Sequence, residues 1–217
     1  MKPDVKSASI VLVGNFNPSI FHPQWFAAHD VISQSEADDE SDLKIATPQV
    51  TSFSLTWGNV QVTPDQFVIS CKNPTLFAML QDFVLKTFDI LGHTPVSAMG
   101  INLEQKWLPT NEAEHRRFGD NIAPKGKWGF MSKPGLRDIV MEEQQRPDEY
   151  SGHVQTRIQA LRGKQYSVLI SINDHYFIPK YETSLGAEPI MEILRENWTT
   201  SNERSETIIK QVIENFS

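Results

Sequence analysis

The residues best suited to bind a charged partner lie in one long connection, residues 109–135. Five basic and three acidic residues give this excursion a net charge of +2, in a chain whose total is −7. Guanidinium and ammonium groups bind phosphates and carboxylates, and an exposed tryptophan adds apolar contact area. The pattern predicts a site for an acidic protein, a nucleotide or a nucleic acid. The candidate binding residues there are His115, Arg116, Arg117, Lys125, Lys127 and Trp128.

The excursion also permits a structural interpretation. Twenty-seven residues is long for a connection, and such connections either carry function or are mobile. Asn111 is a suitable N-cap for a short helix, Glu112 to Phe118, which Gly119 would end. In this interpretation Trp128 and Phe130 pin the excursion onto the core and the charges are solvated. Both interpretations stay open at this point.

Two histidines follow an apolar stretch near the start of the chain. His22 and His29 are seven residues apart, which on one helix face separates them by about 10 Å. Two imidazoles at that distance cannot ligate the same ion, so no metal site is predicted. His22 directly precedes Pro23, where a helix would begin, and is kept as a candidate ligand contact. Its structural alternative is a residue that starts the helix.

Gly14-x-Phe16-x-Pro18, directly after an apolar strand, resembles the phosphate-binding start of the cytidylyltransferase-like nucleotidyltransferases. That family carries two histidines, spaced H-x-G-H, after the proline. Here Ile20 and Pro23 occupy the histidine positions and His22 the glycine position. The chemistry that the resemblance implies is therefore not expected here.

A second alternative is a metal-dependent nuclease. Pro64-Asp65 and the later Glu104-Gln105-Lys106 resemble a PD-(D/E)xK site, in which acids hold a divalent ion and a lysine activates water. Alternation places Glu104 and Lys106 on the same face of a strand. A whole helix separates Asp65 from them, so whether the three converge stays open.

Motif searches identify no catalytic residue, no metal ligand set and no cofactor. The sequence contains no P-loop, GxSxG elbow, HExxH, paired CxxC or EF-hand loop. The single cysteine, Cys71, lies in the apolar run FVISC and is expected to be buried. The chain is therefore predicted to be more similar to a binding protein than to an enzyme, although an enzyme can scatter its site along the chain.

Strands, turns and helices alternate in two similar groups. Residues 8–13 predict a strand buried on both faces, and 23–32 a short helix. A three-strand meander is expected over 52–57, 60–63 and 67–71, then a helix from Asn73 that ends at Gly92, then a strand over 96–108. Strands over 136–142, 154–161 and 166–174, the last two joined by a turn at 162–164, precede one or two closing helices. A capping box at Thr200 and Glu203 favours a break between residues 198 and 201.

This order predicts an α+β fold, a mostly antiparallel sheet with helices packed on one face. Three strands followed by a helix occur twice, which favours two similar β-β-β-α halves or is a coincidence of order. We expect a single domain over residues 1–217, with possible sub-modules 1–108 and 136–217 joined by the basic excursion.

Composition limits the classes of function. A net charge of −7 argues against a protein that binds nucleic acid over its whole surface, but not against a local basic site. The acidic run 34–42 predicts a solvated loop. No apolar run reaches about 18 residues and the start is polar, so a cytoplasmic protein without a membrane partner is expected.

The order of elements, the strand VSAMGIN (96–102) and the closing helices resemble a sporadically distributed bacterial family of unestablished function. This resemblance implies a bacterial cytosolic protein that acts within a complex, and it implies no catalytic residues. The first hypothesis is a non-enzymatic binding or assembly module that uses the excursion or a sheet edge to bind a protein partner or itself. The alternatives are the nuclease, or another phosphate-ester enzyme, and a nucleic-acid or nucleotide sensor.

Overall fold

The structure is a computed structural model that describes residues 1–38, 43–163, 165–179 and 185–217. Its strands are β1 (Lys2–Gly14), β2 (Leu43–Ala46), β3 (Thr51–Ser54), β4 (Asn59–Val62), β5 (Gln66–Cys71), β6 (Val96–Leu108), β7 (Asp138–Glu143), β8 (Gly152–Leu161) and β9 (Ser167–Phe177). Its helices are α1 (Pro23–Ala28), α2 (Gln34–Ala37), α3 (Ala78–Ile90), α4 (Glu112–Ile122) and α5 (Glu188–Phe216). Single 3-10 turns form at Pro18–Ile20, Pro74–Leu76 and Lys125–Trp128.

All nine strands form one antiparallel sheet in the order β2-β3-β4-β5-β1-β6-β9-β8-β7. The two long strands β1 and β6 pair at the centre, for example Ile10 with Ile101. On one side the chain adds the four strands β2 to β5 and on the other the three strands β7 to β9, and the last strand of each group, β5 or β9, lies next to the centre. The predicted α+β class is confirmed, although the first group of strands before a helix has four members, because β2 precedes the predicted meander, and the second has three.

Alternation along each strand separates a covered face from an open one. Ile10 on β1, Ile101 on β6 and Ile172 on β9 are at most 1% exposed, and α3 and α5 pack over this face. Their neighbours Ser9, Asn102 and Asn173 are only partly buried and point to the other side. The predicted placement of helices on one face is therefore confirmed.

Aromatic side chains fill the core under the first meander. Phe67 of β5 is fully buried and its ring centroid lies 5.5 Å from that of Phe21 and 5.3 Å from that of Phe88. Phe26 of α1 lies 4.9 Å from Phe83 of α3. Each buried ring removes a large apolar area from water, so this cluster is a major stabilising part of the fold. It also explains why the short α1 forms, since its buried ring anchors it.

The structure corrects three predictions about element ends. The first strand is longer than predicted and is covered on one face only, because its odd-numbered residues after Ser7 stay partly exposed. The closing segment is one continuous helix, α5, and Thr200 lies inside it rather than at a cap. Ser201 and Ser205 are at most 1% exposed, so the buried stripe of α5 continues without a break.

Two further predictions are corrected by packing. Gly92 does not adopt a left-handed conformation, and its carbonyl instead accepts a hydrogen bond of 2.9 Å from the amide of Ala187. Gly186 has φ +80°, and a Cβ there would lie 2.0 Å from the Gly92 oxygen, so the contact between the two chain segments requires glycine. The first part of the acidic run forms α2, with a capping box between Ser33 and Glu36. Residues 39–42 of that run and Lys164 of the predicted turn lie outside the described residues.

None of the helices in the described ranges has the length and unbroken apolar character that crossing a bilayer requires.

Candidate functional site

The excursion forms two sides of a cleft of about 540 Å³. We call it the basic cleft. Helix α4 supplies one side of it, residues 132–136 the second, and the ends of β8 and β9 the third. Its polar lining includes Glu112, His115, Arg116, Asp120, Lys125, Lys133, Arg162 and Tyr166. The fold thus brings together three of the predicted binding residues, namely His115, Arg116 and Lys125.

Helix α4 forms where the sequence predicts it but runs longer. The side chain of Asn111 accepts a hydrogen bond of 2.9 Å from the amide of Glu114, which confirms the predicted N-cap. The helix continues past Gly119 to Ile122 because Gly119 is a buried packing position. A Cβ at Gly119 would lie 3.3 Å from the Leu136 side chain, so the glycine allows close packing rather than ending the helix.

His115 is at the buried side of the cleft and is only 4% exposed. Its ring lies 5.0 Å from the ring of Tyr166. Burial lowers the pKa of His115, and the positive charge of Arg162 lowers it further, while the backbone of Ser167 opposes the shift. The imidazole is therefore neutral at pH 7. Its Nε2 is buried and has no hydrogen-bond partner within the described part of the chain.

The cations of the cleft differ in how far they are neutralised. Arg116 Nη2 lies 2.5 Å from Glu112, and Lys125 Nζ lies 2.7 Å from Asp120. Lys133 and Arg162 form no ion pair with any acid in the described ranges. Two positive charges in the cleft therefore have no paired carboxylate, although the chain as a whole is acidic. Such a site attracts anions.

Residues 124–131, which we call the tip of the excursion, carry exposed apolar side chains. Trp128 is 44% exposed, Phe130 80% and Met131 50%. The rings of Trp128 and Phe130 lie 5.9 Å apart and contact each other rather than the core. Trp128 and Phe130 therefore do not pin the excursion onto the core, and a binding role for this segment stays a prediction. Arg117 and Lys127 are exposed nearby in sequence but do not line the cleft.

His22 lies outside this site and has a local structural role. Its Nδ1 accepts a hydrogen bond of 3.3 Å from the amide of Gln24, so the ring caps α1. His29 is engaged separately, since its Nδ1 lies 2.8 Å from the carbonyl of Trp25. Each ring thus has its own local contact, and the ligand role of His22 stays a prediction.

The structure does not bring the nuclease-like residues together. Glu104 and Lys106 lie towards the end of β6, whereas Asp65 directly precedes Gln66 of β5, which is level with Ala98 near the start of β6. Six residues of strand separate those levels, about 20 Å. Asp65 instead accepts a hydrogen bond of 2.6 Å from the hydroxyl of Thr63, and Lys106 pairs with Asp4 at 3.2 Å. No group of three metal-ligating side chains occurs in the ranges that the structure describes.

A buried charge cluster was not predicted from the sequence. Asp174 of β9 is fully buried, and its two carboxylate oxygens accept hydrogen bonds of 2.5 Å from Arg146 and from Arg204 of α5. Both arginines also contact Asp148. Burial disfavours charge on Arg146, but its hydrogen bonds to Asp148 and the charge of Asp174 outweigh burial and raise its pKa. From the sequence, adjacency in a strand indicates only that Asp174 and His175 point to opposite faces, not which of them is buried.

On the open face, His175 stacks on His153 with ring centroids 4.8 Å apart. Burial, followed by the charges of His153 and Arg146, lowers the pKa of His175 to about 4. His175 is therefore largely uncharged at neutral pH. It lies on the face opposite to Asp174, and the Glu142 carboxylate is 3.9 Å from His153 Nε2. No group of three such side chains that could hold a metal ion is found among the described residues.

No family model matches this sequence, and no curated protein matches it either. The resemblance to a bacterial family of unestablished function therefore remains a resemblance of layout, and the site must be interpreted from its own chemistry.

Proposed function

We propose that this chain is a non-enzymatic binding module that docks an acidic protein partner on the tip of its excursion. One observation carries the proposal, the exposure of Trp128, Phe130 and Met131 beside Lys125 and Lys127. Tryptophan and methionine are enriched at protein interfaces, and an apolar centre with a charged rim is the usual anatomy of one. The resemblance of layout would place the module in a bacterial cytosolic complex.

The alternatives have less support. A nuclease needs acids that converge on a metal, and Asp65 and Glu104 are about 20 Å apart along the sheet. A nucleic-acid sensor would have to rely on the excursion alone, because the chain outside it is strongly acidic and Arg116 is already paired with Glu112. The partner expected at the tip has the opposite composition, with acidic residues around one or two apolar anchors.

A native pull-down from the source cell, followed by mass spectrometry and light scattering, tests the proposal. The bait is the wild-type chain and the test variant is Trp128→Ala with Phe130→Ala. The matched control is Ile45→Ala, which removes an equally exposed apolar side chain, 41% exposed, from the edge strand β2.

We expect wild type and Ile45→Ala to retain a stoichiometric partner that the double variant loses. Loss of a central aromatic anchor weakens binding by about 30-fold or more, which is 2 kcal/mol. The fold should be unchanged, since both rings are exposed. A chain that stays monomeric and without a partner, or a double variant that retains the partner, contradicts the proposal.

The edge strand β7 is the second candidate surface. It ends the sheet, so one row of its backbone hydrogen-bonding groups is unpaired within the described sheet. Val140 is 48% exposed and Met141 61% exposed. An exposed edge of this kind accepts an added strand from a partner or from a second copy. In the same pull-down, loss of the partner in Met141→Lys but not in the tip variant would assign the docking surface to β7.

A further inference from the structure

We propose that the basic cleft binds a small organic phosphate, a phosphomonoester, through Lys133 and Arg162. This site shares only Lys125 with the tip, and neither Lys133 nor Arg162 belongs to the docking surface, so the two proposals stand or fall separately. The cleft is concave, whereas the tip is convex and exposed, so the two suit ligands of different size. A volume of about 540 Å³ lies in the range of pockets that hold small molecules.

Charge supports a phosphate as the anionic group. Glu112 and Asp120 already neutralise Arg116 and Lys125, so Lys133 and Arg162 are the two cations that remain for a ligand. A phosphomonoester carries about two negative charges at pH 7, which matches them. A carboxylate carries one and would leave one cation without a partner. Arginine also offers two parallel donors to a phosphate, which adds a preference of geometry.

The guanidinium of Arg162 lies close to the backbone of Gly135. Gly135 lies so close that a Cβ there would be 2.7 Å from Arg162 Nη2. A side chain at position 135 would therefore push the guanidinium away. The charge of Arg162 also acts on the cleft itself, since it contributes to the lowered pKa of both His115 and Glu112. The first causes of those two shifts are burial for His115 and the hydrogen bond from Arg116 for Glu112.

His115 provides a second, independent observation. It is a polar side chain that is more than nine-tenths buried, lines the cleft and has an unpartnered Nε2 in the described part of the chain. Buried polar atoms normally have partners, so one without a partner requires an explanation. A neutral imidazole beside two cations keeps the wall of the cleft polar without adding charge. Small movements on ligand binding would allow its ring nitrogen to find a partner.

Titration calorimetry at low ionic strength tests the site with adenosine monophosphate, ribose 5-phosphate and inorganic phosphate, and with sulfate for comparison. The test variants are Arg162→Gln and Lys133→Gln. The matched controls are Arg117→Gln and Lys127→Gln, which remove equally exposed cations outside the cleft lining. We expect saturable binding of at least one phosphomonoester, more tightly than sulfate. Each test variant should raise its Kd by about tenfold or more, because each loses a charge-assisted hydrogen bond.

The pKa of His115 gives a readout that nonspecific binding would not change. A bound anion offsets the field of Arg162, so the pKa of His115 should rise on addition of the phosphomonoester. Proton NMR of the six histidines, with His115→Gln to assign the signal, measures this shift. The shift should be absent in Arg162→Gln.

Three outcomes overturn the proposal. The first is no saturable binding of any phosphate probe at millimolar concentration. The second is binding that Arg117→Gln and Lys127→Gln weaken as much as the cleft variants do. The third is tight, salt-dependent binding of a single-stranded DNA oligonucleotide that outcompetes the phosphomonoesters, which would assign the basic residues to nucleic acid. None of these outcomes bears on the partner lost by the Trp128 and Phe130 variant, so failure here leaves the docking proposal intact.

Discussion

Replacing Asp174 by asparagine should destabilise the fold because it removes one charge from a closed, buried cluster. The Asp174 side chain is fully buried, that of Arg146 is 1% exposed and that of Arg204 is 16% exposed. Together, the two arginines and the two aspartates Asp148 and Asp174 have a net charge of zero. Asparagine keeps the shape of the side chain but leaves the cluster with a net charge of +1 in a site that water barely reaches.

The expected magnitude follows from what the arginines retain. Removing one partner of a buried ion pair costs about 3–5 kcal/mol. Arg146 keeps two hydrogen bonds to Asp148, of 2.8 and 2.7 Å, and one of 2.8 Å to the carbonyl of His175. The loss should therefore be near the lower end, about 3 kcal/mol. Asp138→Asn is the matched control, since its partner Arg157 is 47% exposed and such pairs contribute about 0–1 kcal/mol.

Urea unfolding, followed by circular dichroism and tryptophan fluorescence, measures both variants. We expect unchanged m-values and a midpoint that moves far more for Asp174→Asn than for Asp138→Asn. Arg146→Met combined with Asp174→Asn should cost less than the sum of the two single changes, because the pair then leaves no unmatched charge. If Asp174→Asn and Asp138→Asn differ by less than about 1 kcal/mol, burial of the charge does not control this cluster and the reasoning fails.

Further predictions concern pH, backbone conformation and the core. Because burial lowers the pKa of His175 to about 4, only the unfolded chain takes up its proton between pH 6.5 and 4, so stability should fall as pH falls through this window. When the urea midpoint is measured against pH, it should fall less steeply in His175→Asn than in wild type. The control His93→Asn, at an exposed histidine, should behave like wild type. In thermal unfolding, Gly152→Ala should lower the free energy of unfolding by about 3 kcal/mol or more, since Gly152 has φ +146° and an added Cβ would lie 1.9 Å from a carbonyl oxygen. The control Gly126→Ala, whose Cβ would meet open space, should be nearly neutral. Phe67→Ala should cost about 3–5 kcal/mol in urea, and a loss below 1 kcal/mol would contradict the aromatic core.

The sequence was most informative where a local pattern and burial agree. The bounds of β6 were predicted to the residue, because its alternation of apolar and polar side chains persists in the sheet. The meander of β3, β4 and β5 was also predicted, because turn residues separate short alternating runs. The sequence left one or two closing helices open, and the structure has one, α5, since the capping pattern at Thr200 was outweighed by the continuous buried stripe of the helix.

The candidate site was only partly visible in the sequence. Basic residues and an unusual length marked the excursion, and the N-cap at Asn111 marked α4. Arg162 and Tyr166 were missed, because they lie beyond the excursion in sequence and reach the cleft only through the pairing of β8 with β9. No local signal distinguishes them from residues of an ordinary turn.

By itself the sequence determined most of the strands and the main helices, though not β2 or α2, that helices cover one face of the sheet, and that positive charge concentrates between residues 109 and 135. These properties depend on side chains within about ten positions of one another, so they survive without knowledge of the fold. The tertiary structure alone decided which cations remain unpaired, that Asp174 lies between two arginines, and that Asp65 and Glu104 stand far apart. Those properties depend on strand order and register, which bring together residues distant in sequence and separate others that a motif would join.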